Sequence, residues 1–263
     1  MTGGADTARH ERDLALAIEL ADIADPILRR YFRDSAVAVE RKADASPVTV
    51  ADREAERAIR DHLAKTRPGD GIVGEEYGGE SAAGKARRWI VDPLDGTRTF
   101  VEGLPEFGSL IALEEDGEMV VGVASAPALG RRWWATRGGG AYADGRRLRV
   151  SPVATLPEAA FAHGLRLYWE QRGMTAQLDA LSHACREAAL WRGFVGYMRV
   201  AEGVSDVFAE ATPQVWDVAA PMVIIEEAGG CVTDFRGERR ADGGTALVSN
   251  GLIHAAALAY LRV

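Results

Sequence analysis

The stretch Trp89-Ile90-Val91-Asp92-Pro93-Leu94-Asp95-Gly96-Thr97 places reactive side chains in an order that lets them cooperate. An apolar strand runs out at Asp92, proline withholds the next ladder donor, and Asp-Gly-Thr makes a turn able to open a helix. Two aspartates at i and i+3 around a stiff proline can converge beyond the strand end. Their mutual repulsion is costly unless a cation lies between them. Ligands that are all oxygen favour magnesium, manganese or calcium over zinc. The Leu94 carbonyl offers one more oxygen, and the N–H groups of Gly96 and Thr97 at a helix start form a seat for phosphate. Taken alone the segment reads equally well as a surface turn, because Asp, Pro and Gly are the commonest turn residues.

Three other sites add carboxylates. In Gly74-Glu75-Glu76 another strand runs into two acids. In Val48-Thr49-Val50-Ala51-Asp52, Thr49 and Asp52 are spaced like a capping box with Asp in place of Glu. Val215-Trp216-Asp217 opens an apolar helix, where Asp217 also fits an N-cap. Each site has an ordinary structural explanation. Four of them in one chain point to a shared purpose.

The elements that must position these residues are readable by periodicity. Apolar residues at helical spacing predict helices over 11–33 (kinked or interrupted at Pro26), 51–65, 175–190, 197–202, 218–228 and 252–261. Strands are expected over 71–75, 88–92, 107–113, 120–125, 132–136, 146–150, 207–210, 231–234 and 246–249, with Asp116-Gly117 and Asp144-Gly145 as hairpin turns. An antiparallel-rich α+β half (1–150) followed by an α/β half (151–263) is the predicted organisation.

The chain has 263 residues, 31 Lys+Arg against 39 Asp+Glu, and a net charge of −8. That balance disfavours nucleic acid and anionic membrane surfaces as partners. It admits a phosphorylated small molecule if metal ions stand between carboxylate and phosphate. Two cysteines without Cys-x-x-Cys spacing, no signal-like start and no long apolar run predict a reduced, cytoplasmic protein. Two motifs are decoys. Gly79-x4-Gly84-Lys85 lacks the Ser or Thr of a phosphate loop, and Gly138-x-Gly140-x-x-Ala143 leads into a turn and strand, not a helix.

Together, Gly74-Glu75-Glu76, Asp92-Pro93-Leu94-Asp95-Gly96-Thr97, Trp216-Asp217-Val218-Ala219-Ala220 and Glu227-Ala228-Gly229-Gly230 make the chain resemble the inositol monophosphatase superfamily over about residues 10–260. The resemblance implies a layered α/β/α/β/α sandwich, often a homodimer. It also implies a phosphomonoesterase using two or three Mg2+ per site, with Mn2+ as substitute and Li+ as inhibitor. Carried over, Glu75, Asp92 and the Leu94 carbonyl are expected to hold a first ion, and Asp92, Asp95 and Asp217 a second. Asp52 and Thr97 would orient the attacking water, with Glu75 also in the catalytic set. The Gly96 and Thr97 amides and Lys42 would bind phosphate, and Glu210, Gly193 and Tyr197 would meet the organic end.

Pro105–Leu113, Ala126–Trp134 and Gly196-Tyr197 with Val200-Ala201-Glu202-Gly203 are most similar to the histidinol-phosphatase branch. Hydrolysis of histidinol phosphate, a step of histidine biosynthesis, is therefore the expected activity. Two positions depart from that branch: Gly193 replaces a usual aspartate, and Arg199 a usually apolar residue. The alternatives are an inositol-1-phosphatase or broad sugar-phosphate phosphatase, a nucleotide 3′-phosphatase, and, outside enzymes, an idle metal- or phosphate-binding module or an interaction scaffold.

Overall fold

Asp-Gly pairs set two of the hairpins of the first half. Asp116 and Gly117 have φ of 50° and 84°, and Asp144 and Gly145 of 49° and 80°, the paired left-handed geometry of the tightest hairpin turns. The structure is a computed structural model describing residues 3–34, 39–41, 47–79 and 84–262.

The chain opens with helix α1 (Gly3–Tyr31), a short antiparallel pair β1 (Val39–Arg41) and β2 (Pro47–Thr49), and helix α2 (Val50–Thr66). A seven-stranded sheet follows, ordered as in the sequence: β3 (Gly71–Gly74), β4 (Arg87–Asp95), β5 (Gly108–Glu115), β6 (Glu118–Ala126), β7 (Arg131–Thr136), β8 (Gly140–Ala143) and β9 (Arg146–Arg147). Within this sheet, among the described residues, only β3 and β4 pair in parallel. The short helix α3 (Thr97–Val101) lies between β4 and β5.

The second half supplies β10 (Ala160–His163), α4 (Arg166–Gln171), α5 (Thr175–Ala184), β11 (Glu187–Leu190) and α6 (Val195–Ala201). It ends with β12 (Val207–Glu210), α7 (Val215–Glu227), β13 (Cys231–Thr233), β14 (Ala246–Ser249) and α8 (His254–Leu261). Its five strands order as β11-β10-β12-β14-β13.

Alternation along the strands builds the layers. Trp89, Val91, Ile111 and Val121 face α1 and α2, meeting Leu20, Leu28, Ile59 and Leu63. Ile90, Leu110 and Ala124 face the other way, onto α6 and α7. Helix α7 is buried from Val218 to Ile225, because its far side meets Phe208, Val232 and Val248 of the second sheet. A helix between two sheets must be apolar all round. Beyond the second sheet, Phe161, Val207 and Leu247 pack on Trp169, Leu178, Leu181 and Leu261 of α4, α5 and α8. The result is the expected α/β/α/β/α sandwich.

Local readings differ in places. Helix α1 runs on through Pro26, held on both sides of it by buried Ala24 and Leu28. The helix expected over 175–190 stops at Ala184. Glu187–Leu190, good helix formers, instead pair in parallel with β10. The glycine-rich link after Thr136 contains a strand, β8, and β10 and α4 carried no sequence signal strong enough to place them. Among the described residues no helix is long and apolar enough to cross a membrane.

Candidate active site

An ideal strand would send Asp92 and Asp95, an odd number of residues apart, to opposite faces. The structure avoids this with a bulge. Asp92 pairs with Leu110 and Asp95 with Gly108, so Pro93 and Leu94 together oppose Ser109. The extra residue reverses the alternation. The Leu94 N–H donates to Asp92 Oδ1 at 2.9 Å, closing the turn over the proline, which has no N–H to give.

Asp217 arrives from the other half of the chain. It sits in the first turn of α7, where its Oδ2 accepts the Gln214 N–H at 2.7 Å. Gln214, not Asp217, is the N-cap. One carboxylate oxygen from each of Asp92, Asp95 and Asp217 lies within 4.8 Å of the others. Glu75, at the end of β3, is within hydrogen-bonding reach of Asp92, and its N–H donates to the Val91 carbonyl at 3.2 Å.

The electrostatics follow from burial. Asp92 is pushed well above the usual carboxylate range, first by burial and then by the charges of Glu75, Asp95 and Asp217. Asp217 is likewise raised well above it by burial and by Asp95 and Glu210. Burial raises Asp95 to about 7, although the Phe194 N–H at 2.8 Å favours its ionised form. Among the described residues no lysine or arginine pairs with Asp92, Asp95 or Asp217. Buried carboxylates this close need protons or cations between them. An all-oxygen set with a backbone carbonyl beside it fits a hard divalent ion such as Mg2+, so donor chemistry and charge both suit the expected metal.

Asp52 and Thr97 also meet. Thr97 Oγ1 lies 3.0 Å from Asp52 Oδ1 and 3.0 Å from the Leu94 carbonyl, so one hydroxyl proton serves two acceptors. Asp52 Oδ2 accepts from the Thr49 N–H and hydroxyl, both at 2.7 Å. The capping box is therefore real, and Asp52 still has an oxygen for Thr97. Burial lifts Asp52 to about 7, against the Thr49 bonds and with help from the Glu76 and Glu75 charges.

A cavity of about 550 Å3 is bordered by Glu75, Asp95, Gly96, Thr97, Gly193, Glu210 and Asp217, while buried Asp52, Asp92 and Leu94 do not line it. Glu210 lies at the end of β12, raised by burial, and accepts the Tyr197 hydroxyl at 2.9 Å. Tyr197 is thus behind Glu210, not on the cavity wall. Gly193 has φ +59°, and a Cβ there would lie 2.2 Å from Asp95 Oδ2. Arg199 does not border the cavity; its guanidinium stacks 4.1 Å from the Trp191 ring centre. Lys42 lies outside the described residues.

The cavity wall also contains residues that motif reading passed over. Leu167, Tyr168 and Gln171 come from α4, Thr212 follows β12, and Trp216 precedes Asp217. The only sequence hint was the adjacency of Trp216 to an acid. The α4 residues look like an ordinary amphipathic turn.

A family model described as "Inositol monophosphatase family" matches residues 10–262. The chain is 45% identical to a histidinol-phosphatase of Mycobacterium tuberculosis, over 95% of this chain and 98% of that relative. It is 43% identical to a histidinol-phosphatase of Streptomyces coelicolor, over 95% and 97%. Among solved structures, the extragenic suppressor protein suhB of Bartonella henselae superposes with a TM-score of 0.88 at 31% identity, covering 95% of this chain and 98% of that one.

Proposed function

From the premise that this chain belongs to the inositol monophosphatase family, and is thereby a phosphoric monoester hydrolase, we propose that it is a magnesium-dependent phosphatase acting on histidinol phosphate. The observation that carries the metal dependence is the convergence of buried Asp92 and Asp95 with half-buried Asp217, which among the described residues have no paired side-chain cation. Relatives named histidinol-phosphatase at 45% and 43% identity support the substrate.

In this reading Glu75, Asp92, Asp95, Asp217 and the Leu94 carbonyl hold the ions. Bound there, divalent cations neutralise the phosphate and lower the pKa of a coordinated water. The amides of Gly96 and Thr97, residues that border the cavity, bind phosphate oxygens. Thr97 and Asp52 orient the water, and Asp52, hydrogen-bonded to the Thr97 hydroxyl, takes up its proton. Glu210, held by Tyr197, presents an anionic surface to the cationic amine of the substrate.

Gly193 favours a second reading. Without the aspartate usual in that branch, one anionic group for the amine is missing, which suits a neutral inositol or sugar phosphate. The deciding experiment is phosphate release from histidinol phosphate, inositol 1-phosphate, sugar phosphates and adenosine 3′,5′-bisphosphate, with Mg2+ and with EDTA. The proposal expects EDTA to abolish turnover, and kcat/KM on histidinol phosphate to exceed the rest by at least about tenfold. Equal efficiency on neutral polyol phosphates would favour the second reading.

A further inference from the structure

Glu56 is a fully buried acid that the reaction scheme above does not use. It lies on α2 one turn beyond Asp52 and one turn before Arg60, so the three share a helix face. Its Oε2 accepts the Glu76 N–H at 2.7 Å, and its Oε1 the Tyr77 N–H at 3.2 Å. Arg60 Nε donates to the same Oε1 at 2.7 Å, while its Nη2 donates to the Gly78 carbonyl. The two carboxylate oxygens and the guanidinium thus grip the backbone on the C-terminal side of Glu75. On its N-terminal side, Gly74 and Gly78 exchange N–H···O bonds at 3.1 Å. The fit needs a glycine: a Cβ on Gly74 would stand 2.0 Å from Glu56 Oε1 and 2.9 Å from Arg60 Nη2.

We infer that Glu56, with Arg60, is a positioning residue for the metal site: it clamps the 74–78 turn so that Glu75 is delivered to Asp92. The inference rests on Glu75 being a metal ligand. A charged acceptor of backbone N–H groups makes stronger and shorter bonds than a neutral one, and groups that orient metal ligands typically change metal affinity 10- to 100-fold when replaced. Helix α2 then governs two functions from one face, Asp52 toward the water and Glu56 toward the ion.

The test compares Glu56→Gln, Arg60→Gln and Glu75→Gln in the full chain. Mg2+ affinity is measured by calorimetry and by competition with Mn2+ followed by electron paramagnetic resonance, beside kcat at saturating Mg2+. Expected is a roughly 10- to 100-fold loss of affinity in Glu56→Gln, a smaller loss in Arg60→Gln, and kcat at saturating Mg2+ within a few fold of the parent. Unchanged affinity in the folded variants overturns the inference, as does a kcat loss with affinity intact. Should Glu56→Gln fail to fold, Arg60→Gln decides, since its side chain is partly exposed. If Glu75→Gln keeps full affinity, the reading of Glu75 as a ligand has failed. If it loses affinity while the other two do not, only the clamp has failed.

Discussion

At the scale of single residues, the proposed mechanism separates groups that would hold ions from groups that would handle a proton. Asp92 touches Glu75, the Leu94 N–H and the shared cluster, so Asp92→Asn should reduce turnover by about 10³-fold or more even at millimolar Mg2+, a loss of several kcal/mol of charge stabilisation. Phosphate release checks it. Thr97 contacts Asp52 and a carbonyl but contributes no carboxylate. Thr97→Ala should therefore lower kcat by about 10²- to 10⁴-fold while calorimetry still finds Mg2+ binding. Gly193→Ala presses a methyl group toward Asp95 Oδ2 in a left-handed backbone. It should raise the Mg2+ concentration needed for half-maximal rate and cost about 1 kcal/mol of stability. A variant with unchanged Mg2+ requirement would show that Asp95 has room to move.

At the scale of elements, the sequence exposed the carboxylates better than it exposed what brings them together. The turn chemistry at Asp92-Pro93 and the capping spacing of Thr49 and Asp52 were readable because each rests on residues adjacent in the chain. The bulge that turns Asp92 and Asp95 to one side depends on β5 pairing across it, and no local pattern announces a partner strand's register. Gln214 outcompeted Asp217 for the cap position, and β11 was drawn from helix to strand by β10. The wall of the cavity from α4 was invisible because its use depends on packing in three dimensions. Helix α7 shows the converse, a continuous apolar run whose burial between two sheets explains its composition. Ile224→Ala in its middle, fully buried, should cost about 2–5 kcal/mol. Thermal unfolding would register this as a lower Tm. Mg2+ affinity of the folded fraction should be unchanged, since Ile224 faces the apolar core.

At the scale of the molecule, the buried acids link metal, proton and stability. Asp52 and Asp95 titrate near 7 in the folded state, against about 4 when unfolded. Between these values the folded chain binds more protons, so the metal-free protein should gain stability as pH falls from 8 to 6.5, by roughly 1 kcal/mol per group protonated. With Mg2+ held at Asp95 as proposed, the ion takes the place of the Asp95 proton, so the Tm increase it produces should be larger at pH 8 than at pH 6.5. Melting curves with and without Mg2+ at the two pH values test this. A metal-free Tm that climbs toward pH 8 would contradict the folded-state titration of these acids.

Asp217 lies 125 positions after Asp92 on a helix wedged between two sheets, and this spacing bears on biosynthesis. A nascent polypeptide still lacking its last quarter can fold hairpins, but it has no complete cage for an ion. On the proposed ligand set, the capacity to capture a divalent cation tightly therefore reports that both halves have docked, and a chain stopped short of Asp217 should stay silent toward phosphate esters.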